Sequence, residues 1–185
     1  NPNTTAQQNA RNRLSALSAA WRGLTAVQRE AWESYALANP TSDALGQTVT
    51  LTGHQAYISV NAALAAAGIT AVAIPDLSAP PAAPVLGAVT ATAAGFSVAF
   101  TPSPVPANQA LILESTPPQS AGRAFAGDFR IVATVAAAGT SVLVKTAMEA
   151  KWGGLVAGQK FFIRASLVTS TGLRTAYTST TQTVT

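Results

Sequence analysis

Apolar residues recur at steps of three and four through the first third of the chain. Over the last hundred residues they recur at steps of two, and the change falls near residue 70. A 3.6-residue period marks one face of a helix and a period of two marks one face of a strand. The chain therefore reads as a helical region followed by a β region.

In the first region, Ala6, Ala10, Leu14, Leu17 and Trp21 form one stripe, with Thr4 or Thr5 as the N-cap and Gly23 as the stop. Thr25 opens a second helix. Thr25 and Gln28 have the spacing of a capping box, in which each side chain bonds the other residue's orphan backbone N–H. Val27, Ala31 and Tyr35 line this helix, with Trp32 beside them, and Asn39-Pro40 ends it. The pair is expected to form an αα-hairpin. A polar loop follows over 41–52, in which Gln47 to Leu51 is placed as a short strand. A third helix is expected over about 53–67, with Tyr57, Val60, Leu64 and Ala67 on its apolar side and Gly68 just past its end. Residues 1–70 are read as one helical domain. Residues 71–84 carry Pro75, Pro80, Pro81 and Pro84 and are read as a semi-rigid linker.

From residue 85 to 185 the runs alternate. Phe96, Val98 and Phe100 alternate with Ser97, Ala99 and Thr101. Leu111 and Leu113 alternate with Ile112 and Glu114, Phe129, Ile131 and Ala133 with Arg130, Val132 and Thr134, Val142 and Val144 with Ser141, Leu143 and Lys145, and Phe161, Ile163, Ala165 and Leu167 with Phe162, Arg164 and Ser166. With a first strand near 86–92 and one or two in 173–185, seven or eight short strands are expected. That number in about 100 residues suggests an immunoglobulin-like sandwich. Ser103 to Asn108 is too proline-rich for a central strand.

Composition changes this picture mainly by exclusion. Charged residues are 10% of the 185, aromatics are 6%, and cysteine is absent. No disulfide framework or thiol chemistry is available. The +4 net charge lies wholly beyond residue 84, where seven bases face three acids and the bases are scattered singly. This is the pattern of a solvated β-surface rather than the concentrated patch of a nucleic-acid binder. The longest weakly polar stretch, Ala62 to Ile74, is 13 residues, short of the roughly 20 that span a bilayer. The N-terminus lacks the order of a signal peptide. The chain is expected to be soluble, with no membrane or nucleic-acid contact.

Catalytic chemistry finds little to stand on. His54 reads as a first-turn polar residue, with no nucleophile near it in sequence. Glu30 and Glu33 share a helix face that reads as solvated. The acids lack the spacing of a calcium loop, His and acidic residues are too few for a transition-metal site, and the glycines match no phosphate loop. The expectation is a non-enzymatic protein without cofactor or metal. Trp21 and Trp32 read as helical core. Trp152 is placed in a loop between strands, either as an exposed anchor or buried under the sandwich end.

Two segments carry resemblances. Trp21-Arg-Gly-Leu24-Thr25-Ala-Val-Gln28-Arg29-Glu-Ala31-Trp32 fits a W-x-x-L-T-x-x-Q-R-x-A-W pattern, followed by Tyr35, Gly46, Thr52-Gly53, Tyr57, Asn61, Leu64, Gly68 and a proline-rich stretch. This order resembles a family of bacteriophage proteins encoded among virion structural genes. Thr41 to Ala44 departs from that family, which has an Asn-Arg pair before the glycine. Leu155-Val-Ala-Gly158-Gln-Lys-Phe161-Phe-Ile163 resembles the L-x-P-G-x-x-Y-x-V turn-and-strand of fibronectin type III domains, with Ala157 for the proline and Phe161 for the tyrosine. Together these imply a two-part α+β chain, a helical anchor followed by a fibronectin III-like sandwich.

The implied role is a structural component of the virion, foremost a capsid decoration or cement protein. A tail or head–tail connector position and a host-glycan-binding adhesin are the alternatives. The implied partners are the major capsid protein or other virion proteins, and copies of the chain itself in a trimer or lattice. Trp21, Leu24, Trp32 and Tyr35 are the candidate anchor residues, either as the unit's own core or against a partner. Trp152 is a further candidate for partner binding. The adhesin reading draws on Trp152, Tyr177 and Asp128 at the loop end.

Overall fold

A computed structural model describes residues 4–43, 45–92 and 94–185, apart from the side chain of Ala6, the first member of the expected α1 stripe. Ala44, in the loop that departs from the phage family, lies outside the described residues. The chain divides into two compact units. The first runs to Ala79 and includes Thr171–Leu173. The second comprises Pro80–Ser170 and Arg174–Thr185.

The first unit holds α1 (Thr5–Gly23), α2 (Ala26–Ala38), a two-residue ladder of β1 (Thr41–Ser42) with β2 (Thr48–Val49), and α3 (Gly53–Ala66). Each helix opens with the same device. Thr4, Thr25 and Thr52 are N-caps, and Gln7, Gln28 and Gln55 return the bond to the cap's backbone. Only the middle box is expected from sequence. The strand placed at 47–51 narrows to Thr48–Val49. Helix α3 ends where Gly68 takes φ +73°, a conformation that costs glycine nothing.

Helices α2 and α3 cross closely, and Gly53 is the reason. A Cβ built there lies 2.9 Å from the Glu33 backbone nitrogen and 3.2 Å from its Cα. The residues at the start of the expected linker are bound to this unit as well, since Val72 and Ala73 accept or donate hydrogen bonds to Asn61 and Trp32.

Among its described residues the second unit has seven strands in two antiparallel sheets. β3 (Val85–Ala91), β4 (Phe96–Thr101) and β7 (Val142–Leu143) form one, in the order β3-β4-β7. The other is ordered β6-β5-β8-β9, from β6 (Arg130–Val135), β5 (Gln109–Ser115), β8 (Lys160–Thr169) and β9 (Thr178–Thr183). Between the sheets lie Phe96, Val98, Phe100, Leu111, Leu113, Phe161, Ile163 and Leu167. Phe96 and Phe161 meet edge to face at 5.8 Å.

One element corrects the expectation. The alternation expected to carry a strand through Val144 stops at Leu143. Val144 instead precedes helix α4 (Lys145–Trp152), which Lys145 and Glu149 brace at i,i+4 with an Nζ–Oε1 distance of 2.6 Å. Trp152 is therefore the last residue of a helix, not a loop residue. The helix was hidden because Met148 is its only buried side chain, so its apolar residues show no period.

Gly53→Ala is expected to destabilise the protein by about 1–3 kcal/mol, because the new methyl meets the Glu33 backbone nitrogen at 2.9 Å as well as the Glu33 Cγ at 2.7 Å, and the backbone cannot turn aside as the side chain can. Thermal denaturation followed by circular dichroism at the helical signal measures this.

Candidate functional site

The L-T-x-x-Q-R motif is the corner between α1 and α2. Leu24 caps α1, its N–H donating to the Trp21 carbonyl at 3.1 Å. Thr25 and Gln28 close the box on α2. Arg29 reaches back across the corner, where its Nη2 donates to the carbonyls of Arg22 at 3.0 Å and Leu24 at 2.8 Å. Those carbonyls sit at the end of α1, where the helix leaves acceptors unpaired and a cation is favoured by the helix dipole.

The two tryptophans close the same corner from inside. Trp32 is fully buried. Its ring meets Tyr57 edge-on at 5.3 Å and Tyr35 at 5.5 Å, and its Nε1 donates to the Ala73 carbonyl at 2.9 Å. Trp21, half-buried, lies 5.4 Å from both Tyr57 and His54. Asn61 is fully buried. Its Nδ2 donates to the Tyr57 and Val72 carbonyls, and its Oδ1 accepts from the Val72 N–H at 2.7 Å.

The structure thus gathers Trp21, Leu24, Trp32 and Tyr35 into one cluster, and that cluster is the helical unit's own core. Trp152 is half-buried and packs against the sandwich core. His54 occupies the first turn of α3, with its Nε2 buried and without a hydrogen-bond partner among the described residues.

Burial raises the Tyr57 hydroxyl above its ordinary pKa of 10.0. Tyr35 is raised by burial first and then by the Asp76 carboxylate.

The densest chemistry lies elsewhere, on the outer face of the four-stranded sheet. Register places Glu114, Arg164 and Ser179 side by side across β5, β8 and β9. Glu114 is 7% exposed, and a buried carboxylate must be paired and hydrogen-bonded. It accepts from Arg164 Nε, from Arg174 Nη2 at 3.3 Å and from the Tyr177 hydroxyl at 3.4 Å. The Arg164 guanidinium also lies between two rings, 4.2 Å from the Phe129 centroid and 4.0 Å from that of Tyr177. Burial raises the Tyr177 pKa, with smaller opposing effects from Arg174, Glu114 and Arg164.

Sequence reasoning names Tyr177 but passes over Glu114, Arg164 and Phe129. The available signal was a lone glutamate in the apolar run Leu111-Ile-Leu-Glu-Ser115, which implies a buried charge in need of partners. Among the described residues, no group of three His, Asp or Glu side chains is placed to hold a metal ion. No described helix is long and apolar enough to cross a membrane.

No protein-family model matches the chain, and no curated protein does. Among solved structures the chain is similar to one described as the crystal structure of a Fn3-like protein from Clostridium thermocellum. The identity is 17% and the TM-score 0.36, over 58% of this chain and 96% of that one. The strand order itself, three strands facing four, makes the second unit an immunoglobulin-like sandwich of the fibronectin III kind, on a chain whose first part is helical.

Two outcomes test the helical corner. Trp32→Phe removes the Nε1–H and leaves the Ala73 carbonyl unpaired. It is expected to cost about 1–3 kcal/mol, read as a lower denaturation midpoint with unchanged denaturant dependence. The second concerns pH. A tyrosine whose pKa is raised by folding contributes stability that is intact below its unfolded value and is lost as pH climbs through the folded one. The melting temperature should therefore fall less steeply from about pH 9 to about pH 11 in Tyr57→Phe than in the unmodified protein.

Proposed function

We propose that the protein is a non-enzymatic structural component of a bacteriophage particle, a capsid decoration protein held in place by its helical unit. The observation that carries this reading is the apolar surface of that unit. Leu14, Val27 and Leu37 are 52%, 74% and 73% exposed. Every residue of α1 from Gln7 to Ala16 is exposed. Yet among the described residues the buried apolar side chains of the unit are Leu17, Trp32, Ala36, Ala56, Tyr57, Leu64 and Ala67, three of them alanines, with half-buried residues such as Trp21, Leu24 and Tyr35 packed against them. A unit this small, with so thin a core, gains much from a partner. A stable interface buries about 1,200–2,000 Å².

The phage-family resemblance of residues 21–68 supports the same reading. It also shifts where contact is made. The motif residues Trp21, Leu24, Trp32 and Tyr35 build the corner, and the anchor falls to the outward residues Leu14, Val27 and Leu37. A tail or head–tail connector position would use the same surface.

The combined Leu14→Ser, Val27→Ser and Leu37→Ser variant is expected to keep its helical signal and melting temperature. It should lose most of its co-sedimentation with particles of the phage that encodes it. A density map of those particles distinguishes shell, neck and tail. A stably folded monomer that binds no assembled particle overturns the proposal.

A further inference from the structure

We propose that the outer face of the four-stranded sheet carries a binding site for a carboxylate-bearing sugar, built on the free end of the Arg164 guanidinium. A groove of about 640 Å³ opens there, lined by Phe125, Phe129, Phe162, Arg164, Tyr177 and the β9 hydroxyls.

The charges around it are mostly committed. Arg174 is held by Ser166 Oγ and Glu114, and Arg130 faces Asp128. Lys160 lies over the Phe162 ring and donates to the Arg123 carbonyl. Arg164 spends only Nε on Glu114. Its Nη1 and Nη2 make no hydrogen bond among the described residues, and 29% of the side chain is exposed. A planar guanidinium with two free nitrogens matches a carboxylate. Phe129 and Tyr177 hold its plane from either side, so little freedom remains to be lost on binding.

The rest of the groove selects what bears the carboxylate. Phe125 is 79% exposed, and its loop is tied down. Arg123 Nε donates to the Phe125 carbonyl at 3.0 Å, and Lys160 Nζ to that of Arg123 at 2.8 Å. An exposed ring on a backbone held in place offers a flat apolar surface for the C–H face of a sugar. Opposite it, Ser179 pairs with Arg164 and Thr181 with Phe162, which sets two hydroxyls on the same face. Hydroxyls both donate and accept, as sugar hydroxyls do.

Two other ligands fit less well. Among the described residues the lining of the groove has one guanidinium, that of Arg164, whereas a nucleic acid is held through several phosphates. A peptide adding to the sheet would need the outer edge of β9. That edge lies against β3 of the same polypeptide, with Thr178 Oγ1 donating to the Pro84 carbonyl and, just past β9, the Thr185 N–H to that of Ala91. This site does not depend on where the protein resides.

Titration calorimetry of the full chain tests it, using 3′-sialyllactose against lactose and trigalacturonic acid against galactotriose. At least one acidic sugar is expected to bind about tenfold or more tightly than its neutral partner. Arg164→Gln should erase that difference. Phe125→Ala, at an exposed position, should weaken binding about fivefold or more with the melting temperature unchanged. If Arg164→Gln does not fold, Phe125→Ala and Ser179→Val decide. Equal binding of acidic and neutral sugars overturns the proposal. So does the absence of saturable binding, tighter binding of hexaglutamate or oligothymidylate, or variants that bind like the unmodified protein.

Discussion

The first unit depends on the closure of three helices around one indole. Alanine supplies 40 of the 185 residues, so few side chains are large enough to fill the space between helices. Trp32 fills much of it, with Tyr57, Leu17 and Leu64. Its ring faces Tyr35 and Tyr57, and its N–H holds Ala73 in place. The corner geometry of Leu24, Thr25, Gln28 and Arg29 serves that closure. Without it α1 would not return its Leu17 and Trp21 to the same cluster. Trp21, Leu24, Thr25, Gln28, Arg29 and Trp32 thus each have a mechanical task in the corner.

The sandwich solves a different problem. Its inner face is ordinary alternating apolar packing, but its outer face buries the carboxylate of Glu114 near the end of the central β5–β8 ladder. Such a group is tolerable only with counter-charges and donors in place. Arg164, Arg174 and Tyr177 converge on it, and their convergence in turn sets two cation–π contacts on Arg164 and one on Arg174. The groove beside them is a by-product of that solution. One buried acid has organised an aromatic and cationic surface around itself.

Much of this was legible from sequence, and the limits have physical causes. The helix starts at Thr4 and Thr25, the end at Asn39-Pro40 and the alternation of β4, β5 and β8 follow from local rules that act within a few residues. Helix α4 escaped because one buried residue makes no periodicity. The short β7 was overextended because Val144 continued an alternation that the chain abandons. The corner role of Arg29 and the Glu114 cluster join residues that are neighbours only after folding. Glu114 meets Arg164 across 50 positions and Tyr177 across 63, and no local pattern encodes such a meeting.

The exposed first turns of α1 have a thermodynamic consequence. The helix is 19 residues long, about 28 Å at the usual rise, and from Gln7 to Ala16 its residues are exposed, with Leu17 the first buried one. A solvent-exposed helical stretch of some ten residues has little stability of its own in water, because each residue added returns barely more than its ordering entropy. The Thr4 box and the turns from Leu17 onward seed this stretch from both ends, which removes the nucleation penalty. Amide exchange there would be governed by local opening, decoupled from global unfolding. Any surface that covers Leu14 then inherits a helix already started, and adds burial where the chain by itself supplies little.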